Sequence, residues 1–275
     1  MNNSGPDASP MVLIHGFSGS WRHWVPVVPA LEEHHRVHVA RLAGHARGPQ
    51  LPEGVPVSVS ALADQLERDL DRAGITRAHL VGNSLGGWLS LELAARGRAL
   101  SVTALAPALG WEPRGRHLLP LRLKLQVARK VFAAIGPYAE FVLRSHRIRH
   151  LLLSAAMAHS DRISIVEAAA FVRDNLRCNI YFELMEPILT TDHQLGSIDC
   201  PVTIASCEKD GLIPYQPYGL RFPKLVPQAE FITLPDVGHV PMFDDPDLVA
   251  RTVLDVAAAA DAQHDANHSV TRSNA

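Results

Sequence analysis

The chain has 275 residues, 47% of them hydrophobic and 20% charged, with a net charge of -2 when histidines are neutral. That is enough apolar material for one large core and too little net charge to pull the whole molecule towards nucleic acid or acidic polymers. Cys178, Cys200 and Cys207 are odd in number and lack metal-knuckle or Cys-x-x-Cys spacing, so they read as reduced thiols of a cytoplasmic protein. The polar start MNNSGPDASP has no basic-then-apolar signal pattern, and no run of 18 apolar residues predicts a membrane span. The fifteen histidines show no H-E-x-x-H-like pattern and read mostly as surface residues, with no metal or cofactor expected.

After a flexible lead-in over residues 1–10, MVLIHG (11–16) predicts a buried strand stopped by Gly16. A helix is expected over 20–33 and a strand at RVHVARL (36–42), followed by a Gly- and Pro-rich loop over 43–56. Leu62, Leu66 and Leu70 form one stripe of a helix capped by Ser58 or Ser60 and ended by Gly74. AHLVGNS (78–84) predicts a strand, SLGGWLSLELAARG (84–97) a helix, and SVTALAPA (101–108) a strand. From 110 to 196 the sequence is helical in propensity. Strands return at PVTIASCEKDG (201–211) and AEFITLPDVGH (229–239), and Asp245-Pro246 starts a last helix. The polar tail, residues 262–275, is expected to be disordered. Strands alternating with helices imply an α/β class with a parallel sheet covered on both faces.

Ser84, Asp210 and His239 all fall where strands end, the place at which such sheets carry their chemistry. Gly82-Asn83-Ser84-Leu85-Gly86 fits G-x-S-x-G, weak as a pentapeptide but here held between a strand and a helix. A sharp strand-to-helix turn lifts a serine hydroxyl above the sheet, and small neighbours are needed because backbones crowd there. The bland alternative is that Ser84 caps a helix.

The stretches LIHGFSGSWRHW (13–24), HLVGNSLGGWLSLELA (79–94), SCEKDGLIP (206–214) and LPDVGHVPMFDDP (234–246) together resemble the α/β-hydrolase superfamily in order and spacing. The resemblance implies an α/β-hydrolase fold: a mostly parallel sheet of about six strands, with helices on both faces and an inserted helical cap. The core would be 1–109 and 197–261, and the cap 110–196. It implies Ser84 as nucleophile, His239 as general base and Asp210 as the acid that orients the imidazole, with Glu208, Asp236 and Glu112 as competing carboxylates. It also implies backbone N–H donors to an oxyanion at Phe17 and Leu85. His15 reads as a structural hydrogen-bonder. Asn83 and Phe243 are candidates for touching the substrate.

Serine at 84 favours acyl transfer over the alkyl-enzyme chemistry of relatives with Asp at that position. A small, largely apolar carboxylic ester, thioester or lactone is therefore the expected substrate. The alternatives are carbon–carbon bond hydrolysis of the meta-cleavage type, which GNSLGG resembles, and a ligand-binding receptor with slow turnover. Met242-Phe243 stand where meta-cleavage relatives carry Trp, and the loop RLAGHARGP departs from the superfamily's usual D-x-P-G-H-G pattern, which would alter a pocket wall. The expected partner is a small-molecule substrate, with no nucleic acid and no integral membrane association, and a homodimer is left open. Phe132, Tyr138, Phe141, Leu151, Met157, Phe171, Tyr181 and Phe182 either line a greasy pocket or pack the cap down, the second being the commoner use. Nine Lys/Arg against Glu140 between 114 and 149 read as a solvated face, with an anionic substrate or membrane surface as the sharper alternative.

Overall fold

The structure, a computed structural model, describes residues 8–273; the expected lead-in over residues 1–7 lies outside them. Six parallel strands form one sheet in the order β2-β1-β3-β4-β5-β6. They are β1 (Pro10–Ile14), β2 (Arg36–Val39), β3 (Ala78–Asn83), β4 (Ala99–Leu105), β5 (Val202–Cys207) and β6 (Glu230–Leu234). Side chains alternate across each strand, and so the sheet divides the apolar interior in two. Val12, Ile14, Leu80, Val102, Ala104, Val202 and Ile204 face one cluster; Met11, Leu13, Val81, Leu105, Ala205 and Cys207 face the other.

Between β1 and β2 the expected long helix is broken into a 3₁₀ turn, Trp21–Trp24, and α1 (Val28–Glu32). Pro26 and Pro29 supply no N–H in mid-segment, which explains the break. Helix α2 (Val59–Arg72) starts on Ser58, whose Oγ accepts from Ala61 N at 3.1 Å. It lies against α3 (Leu85–Ala95) on the first face of the sheet. Arg96 ties the two helices together through Asp64, Glu67 and Glu92.

Helices α4 (Leu118–Ile135), α5 (Ala139–Val142), α6 (His146–Leu153), α7 (Ile165–Leu176) and α8 (Tyr181–Thr190) fill the interval between β4 and β5. Several basic groups of this stretch are engaged internally. Arg129 donates to the carbonyls of Asn175, Leu176 and Cys178 at the end of α7, and buried Arg149 to those of Leu143 and Ser160. Short helices α9 (Tyr215–Tyr218) and α10 (Phe222–Leu225) precede β6, and α11 (Pro241–Asp244) follows it. Helix α12 (Pro246–Ser273) covers the second face, with Asp245 Oδ1 accepting from Leu248 N at 2.8 Å. The helix runs on through the segment expected to be a disordered tail. Ala257 to Ala260, Ala262 and Ala266 favour helix, and neither Gly nor Pro intervenes to stop it. No described helix is long and apolar enough to cross a membrane.

The strand order reverses between β1 and β3, so the chain leaves these neighbours in opposite directions and a crevice opens beyond their C-terminal ends. Glycine makes the crossing possible. A Cβ on Gly86 would lie 2.0 Å from the Ile14 carbonyl oxygen, and one on Gly82 would lie 2.1 Å from the Gly86 oxygen. Both obstacles are backbone atoms. Gly86→Ala is therefore expected to cost about 3 kcal/mol of stability through forced separation of β1 and α3, read as a lowered urea midpoint at unchanged slope.

The histidines read mostly as surface residues, yet His23, His35, His45 and His79 are buried, as are the singled-out His15 and His239. Burial pushes His23 down to about 3 and His45 down to about 4, while burial and the neighbouring His45 drive His15 well below its ordinary 6.5. Because these folded values lie under the unfolded ones, the unfolded chain binds protons that the folded chain refuses. Stability must then fall as pH drops from about 6.5 towards 4, by up to ~1.4 kcal/mol per pH unit for each ring. Urea unfolding at pH 7.5, 6 and 5 checks this; a flat profile contradicts it, and His45→Asn should make the decline shallower.

Candidate active site

The site is built at the crevice beyond β1 and β3. Ser84 follows β3 with φ 58° and ψ -118°, a left-handed conformation unfavourable for a residue with a Cβ. Its backbone is held on both sides. Ser84 N donates to Leu105 O at 2.9 Å, and Ser84 O accepts from Ala108 N at 3.0 Å and from Trp88 N at 3.2 Å. Gly16 lies alongside, where a Cβ would come within 3.1 Å of Ser84 Cβ. The Ser84 side chain makes no cap hydrogen bond to α3, so the helix-cap alternative does not describe it.

His239 is buried on the loop after β6. Its Nδ1 lies 2.8 Å from Asp210 Oδ2, on the loop after β5. Asp210 Oδ1 accepts from Leu212 N and Ile213 N, both at 2.8 Å, so the turn itself aims the carboxylate. A carboxylate only accepts, which assigns the proton to Nδ1 and leaves the Nε2 lone pair free. Ser84 and His239 line the same cavity, with no hydrogen bond between the hydroxyl and the ring in this arrangement.

The competing carboxylates are elsewhere. The Glu112 side chain is 72% exposed and faces Arg221 at 3.6 Å. Asp236 occupies a turn at φ 58° and pairs with Lys209 and His159, while Glu208 accepts from the Asp236 N–H.

Phe17 and Leu85 line the same cavity as Ser84, and neither backbone N–H has a hydrogen-bond partner among the described residues. His15 fixes the Phe17 strand end: its Nδ1 contacts Gly16 O at 3.0 Å, and its Nε2 accepts from Leu42 N at 3.4 Å. Asn83 lines the cavity, and its Nδ2 donates to His239 O at 2.8 Å and to Leu105 O at 3.2 Å. Its amide thus pins the histidine loop to β4, although Asn83 Oδ1 has no partner. Phe243 is not part of the cavity wall. It packs edge-on against His23, ring centroids 5.8 Å apart, because α11 turns it towards the neighbouring cleft of Ser20 and Asp174.

The cavity measures about 140 Å³ and is predominantly apolar. Trp111, Leu121, Leu125 and Phe132 come from the segment after β4, and Phe171 from α7. Of the other aromatic and aliphatic candidates, Met157 and Tyr181 are buried in the core clusters, whereas Tyr138, Phe141, Leu151 and Phe182 are exposed. Two residues escaped the sequence reading. His23 lines the cavity stacked on Phe171 at 5.2 Å, with Nδ1 buried and unpartnered. Asp244 is buried and accepts three backbone N–H groups, from Ala158 at 2.9 Å, His159 at 2.8 Å and Gly238 at 2.7 Å, so it locks the residue before His239 to the helical insert.

Residues 11–252 match the sequence model of the alpha/beta hydrolase family. The chain is 33% identical over 200 residues to epoxide hydrolase EphH of Mycobacterium tuberculosis, covering 72% of this chain and 94% of that protein. In fold it is similar to the enol-lactonase from Burkholderia xenovorans LB400, with TM-score 0.70 and 21% identity over 93% of this chain and 94% of that one. It is likewise similar to naproxen esterase from Bacillus subtilis, with TM-score 0.65 and 20% identity over 91% and 84% of the two chains. With a family match over most of its length, the chain belongs to the alpha/beta hydrolase family and is a hydrolase.

Proposed function

We propose that the chain is a serine hydrolase that opens small, largely apolar carboxylic esters, thioesters or lactones through an acyl-enzyme. The observation that carries this reading is the buried 2.8 Å contact between His239 Nδ1 and Asp210, on a cavity shared with the strained Ser84 turn.

In this mechanism the Ser84 oxygen attacks the substrate carbonyl carbon while His239 Nε2 takes the hydroxyl proton. The new imidazolium faces Asp210, which stays ionised. The carbonyl oxygen becomes an oxyanion, and the Phe17 and Leu85 N–H groups donate to it. Each such donor is worth about 2.7–4 kcal/mol of barrier. The intermediate then collapses, and the bond to the leaving oxygen or sulfur breaks as His239 returns the proton to it. Water repeats the sequence on the acyl-enzyme and frees the acid and Ser84. An apolar cavity of about 140 Å³ suits an acyl or alcohol group near the size of benzene.

The named activities of the similar proteins cover epoxide, lactone and ester opening, and Ser84 chooses among them. A serine alkoxide attacking a carbonyl yields a hydrolysable ester, whereas the alkyl-enzyme route uses a carboxylate nucleophile. Carbon–carbon bond cleavage is less well supported, since the Asn83 Nδ2 is committed to His239 O and Leu105 O and leaves only Oδ1 to meet a dienol.

A fluorophosphonate should add one adduct to the native chain by intact mass and none to Ser84→Ala; labelling of both, or of neither, removes the proposal. Turnover of short nitrophenyl esters separates an esterase from a slow receptor, and rapid consumption of a coloured dienol would favour the carbon–carbon reading instead. Asp210→Asn would present an N–H to Nδ1 and select the wrong tautomer. Its kcat on the nitrophenyl ester is expected to fall on the order of 10⁴-fold with KM little changed.

A further inference from the structure

At the other end of β3 from Ser84, four side chains from four separate elements converge. His79 opens β3, Ser9 precedes β1, His35 precedes β2 and Asp261 lies on α12. The Ser9 Oγ lies 3.0 Å from His35 Nδ1, 3.1 Å from His79 Nε2 and 3.2 Å from Asp261 Oδ2. His79 Nε2 is 3.1 Å from Asp261 Oδ1. The His35, His79 and Asp261 ligand atoms all fall within 4.8 Å of one another.

These separations have a geometric meaning. Four ligands on a tetrahedral zinc at bonds of 2.0–2.1 Å stand about 3.3 Å from each other. The Ser9 Oγ–His35 Nδ1, Ser9 Oγ–His79 Nε2 and His79 Nε2–Asp261 Oδ1 separations lie within a few tenths of an ångström of that value, and Asp261 turns its other oxygen, Oδ2, towards Ser9. We propose that Ser9, His35, His79 and Asp261 form a binding site for a borderline divalent transition metal, Zn²⁺ foremost, that fastens α12 to the N-terminal edge of the sheet.

The donor set fits such an ion: two imidazole nitrogens, one carboxylate, and a hydroxyl that either ligates or yields its place to water. The surroundings fit as well. His79 Nδ1 lies 2.9 Å from Ser101 Oγ, the kind of outer partner that holds a metal-binding imidazole in one tautomer. The Ser101 hydroxyl can accept from Nδ1–H, which leaves Nε2 as a lone pair aimed at the ion. Burial lowers the proton affinity of both His35 and His79, which favours the neutral imidazole that ligates. The four residues are 26 or more apart in sequence, so no motif spacing announces them. The ion's place is at the opposite end of the strand from the hydrolytic cavity, and the proposal is independent of the serine mechanism.

The test uses the full-length protein stripped with EDTA and dialysed. Titration with ZnCl₂ by calorimetry should find one tight site per chain. At a free-ion concentration 100-fold above Kd, Tm should rise by about 5–10 °C. Asp261→Asn, on a partly exposed helix position, should keep the native circular dichroism and weaken binding at least tenfold, and His35→Ala should do the same. Cobalt(II) substitution should give no near-ultraviolet thiolate band. Absence of a stoichiometric site, or native affinity in both variants, shows that the cluster is only a hydrogen-bonded knot and overturns the proposal. So does a thiolate band, which would put the ion on a cysteine such as Cys200.

Discussion

The turn at Ser84 can exist only where backbone segments come so close that two of the positions admit no side chain and a third barely does. Gly86 lies against the Ile14 carbonyl, Gly82 against Gly86, and Gly16 against Ser84 itself. Remove that contact and α3 would have to leave β1, carrying the Leu85 N–H away from the Phe17 N–H. A serine at φ 58° and ψ -118° costs on the order of 1–3 kcal/mol, and it persists because the surroundings over-determine it. The Leu105 carbonyl and the Ala108 and Trp88 N–H groups hold the Ser84 backbone from three directions. The two apolar clusters behind it supply the rigidity, since neither β1 nor β3 can move without exposing one of them.

The histidine loop depends on the same frame through two polar anchors. Asn83 belongs to the strand that presents Ser84, and its Nδ2 holds the His239 carbonyl. Asp244 gathers the N–H of Gly238 together with those of Ala158 and His159. One anchor registers the imidazole to the sheet, and the other registers it to the helical insert. Gly238 is needed at this junction, because a Cβ there would meet Ala158 N at 2.7 Å. The insert that walls the cavity is therefore coupled to the loop that carries His239, so a shift of the segment around Ala158 acts directly on that ring.

Much of this was legible in the sequence because it rests on local rules. Alternating strand and helix patterns gave the six-stranded parallel sheet, Gly82 and Gly86 marked the turn, and Asp245-Pro246 marked the start of α12. What could not be read rests on contacts distant in sequence. Asp244 looks like one more acid beside Asp245, and only the folded chain shows which of the pair is buried under three N–H donors. Phe243 follows the histidine as a pocket residue would, yet the short α11 helix swings it behind His23. In the tail, composition pulled two ways. Its polarity argued for disorder, while the alanines and the lack of breakers let α12 continue. Histidine has no single preference for inside or outside, which is why, beyond His15 and His239, the scattered rings gave no hint of the buried ones.

Those buried rings bear on the chemistry proposed for the cavity. His23 shares the cavity with His239, and charge on one opposes charge on the other. Were His23 protonated, it would resist the imidazolium that must form when Ser84 gives up its proton. Burial keeps its ring neutral down to about pH 3, and that of His45, which packs against His15, down to about pH 4. Asp210 is thereby left as the unopposed electrostatic partner of His239, in a mostly apolar setting where that attraction is weakly screened. The desolvation that makes these histidines a liability to acid stability thus serves the site at neutral pH. Of the two rings lining the cavity, it confines positive charge to His239, which has a carboxylate to receive it.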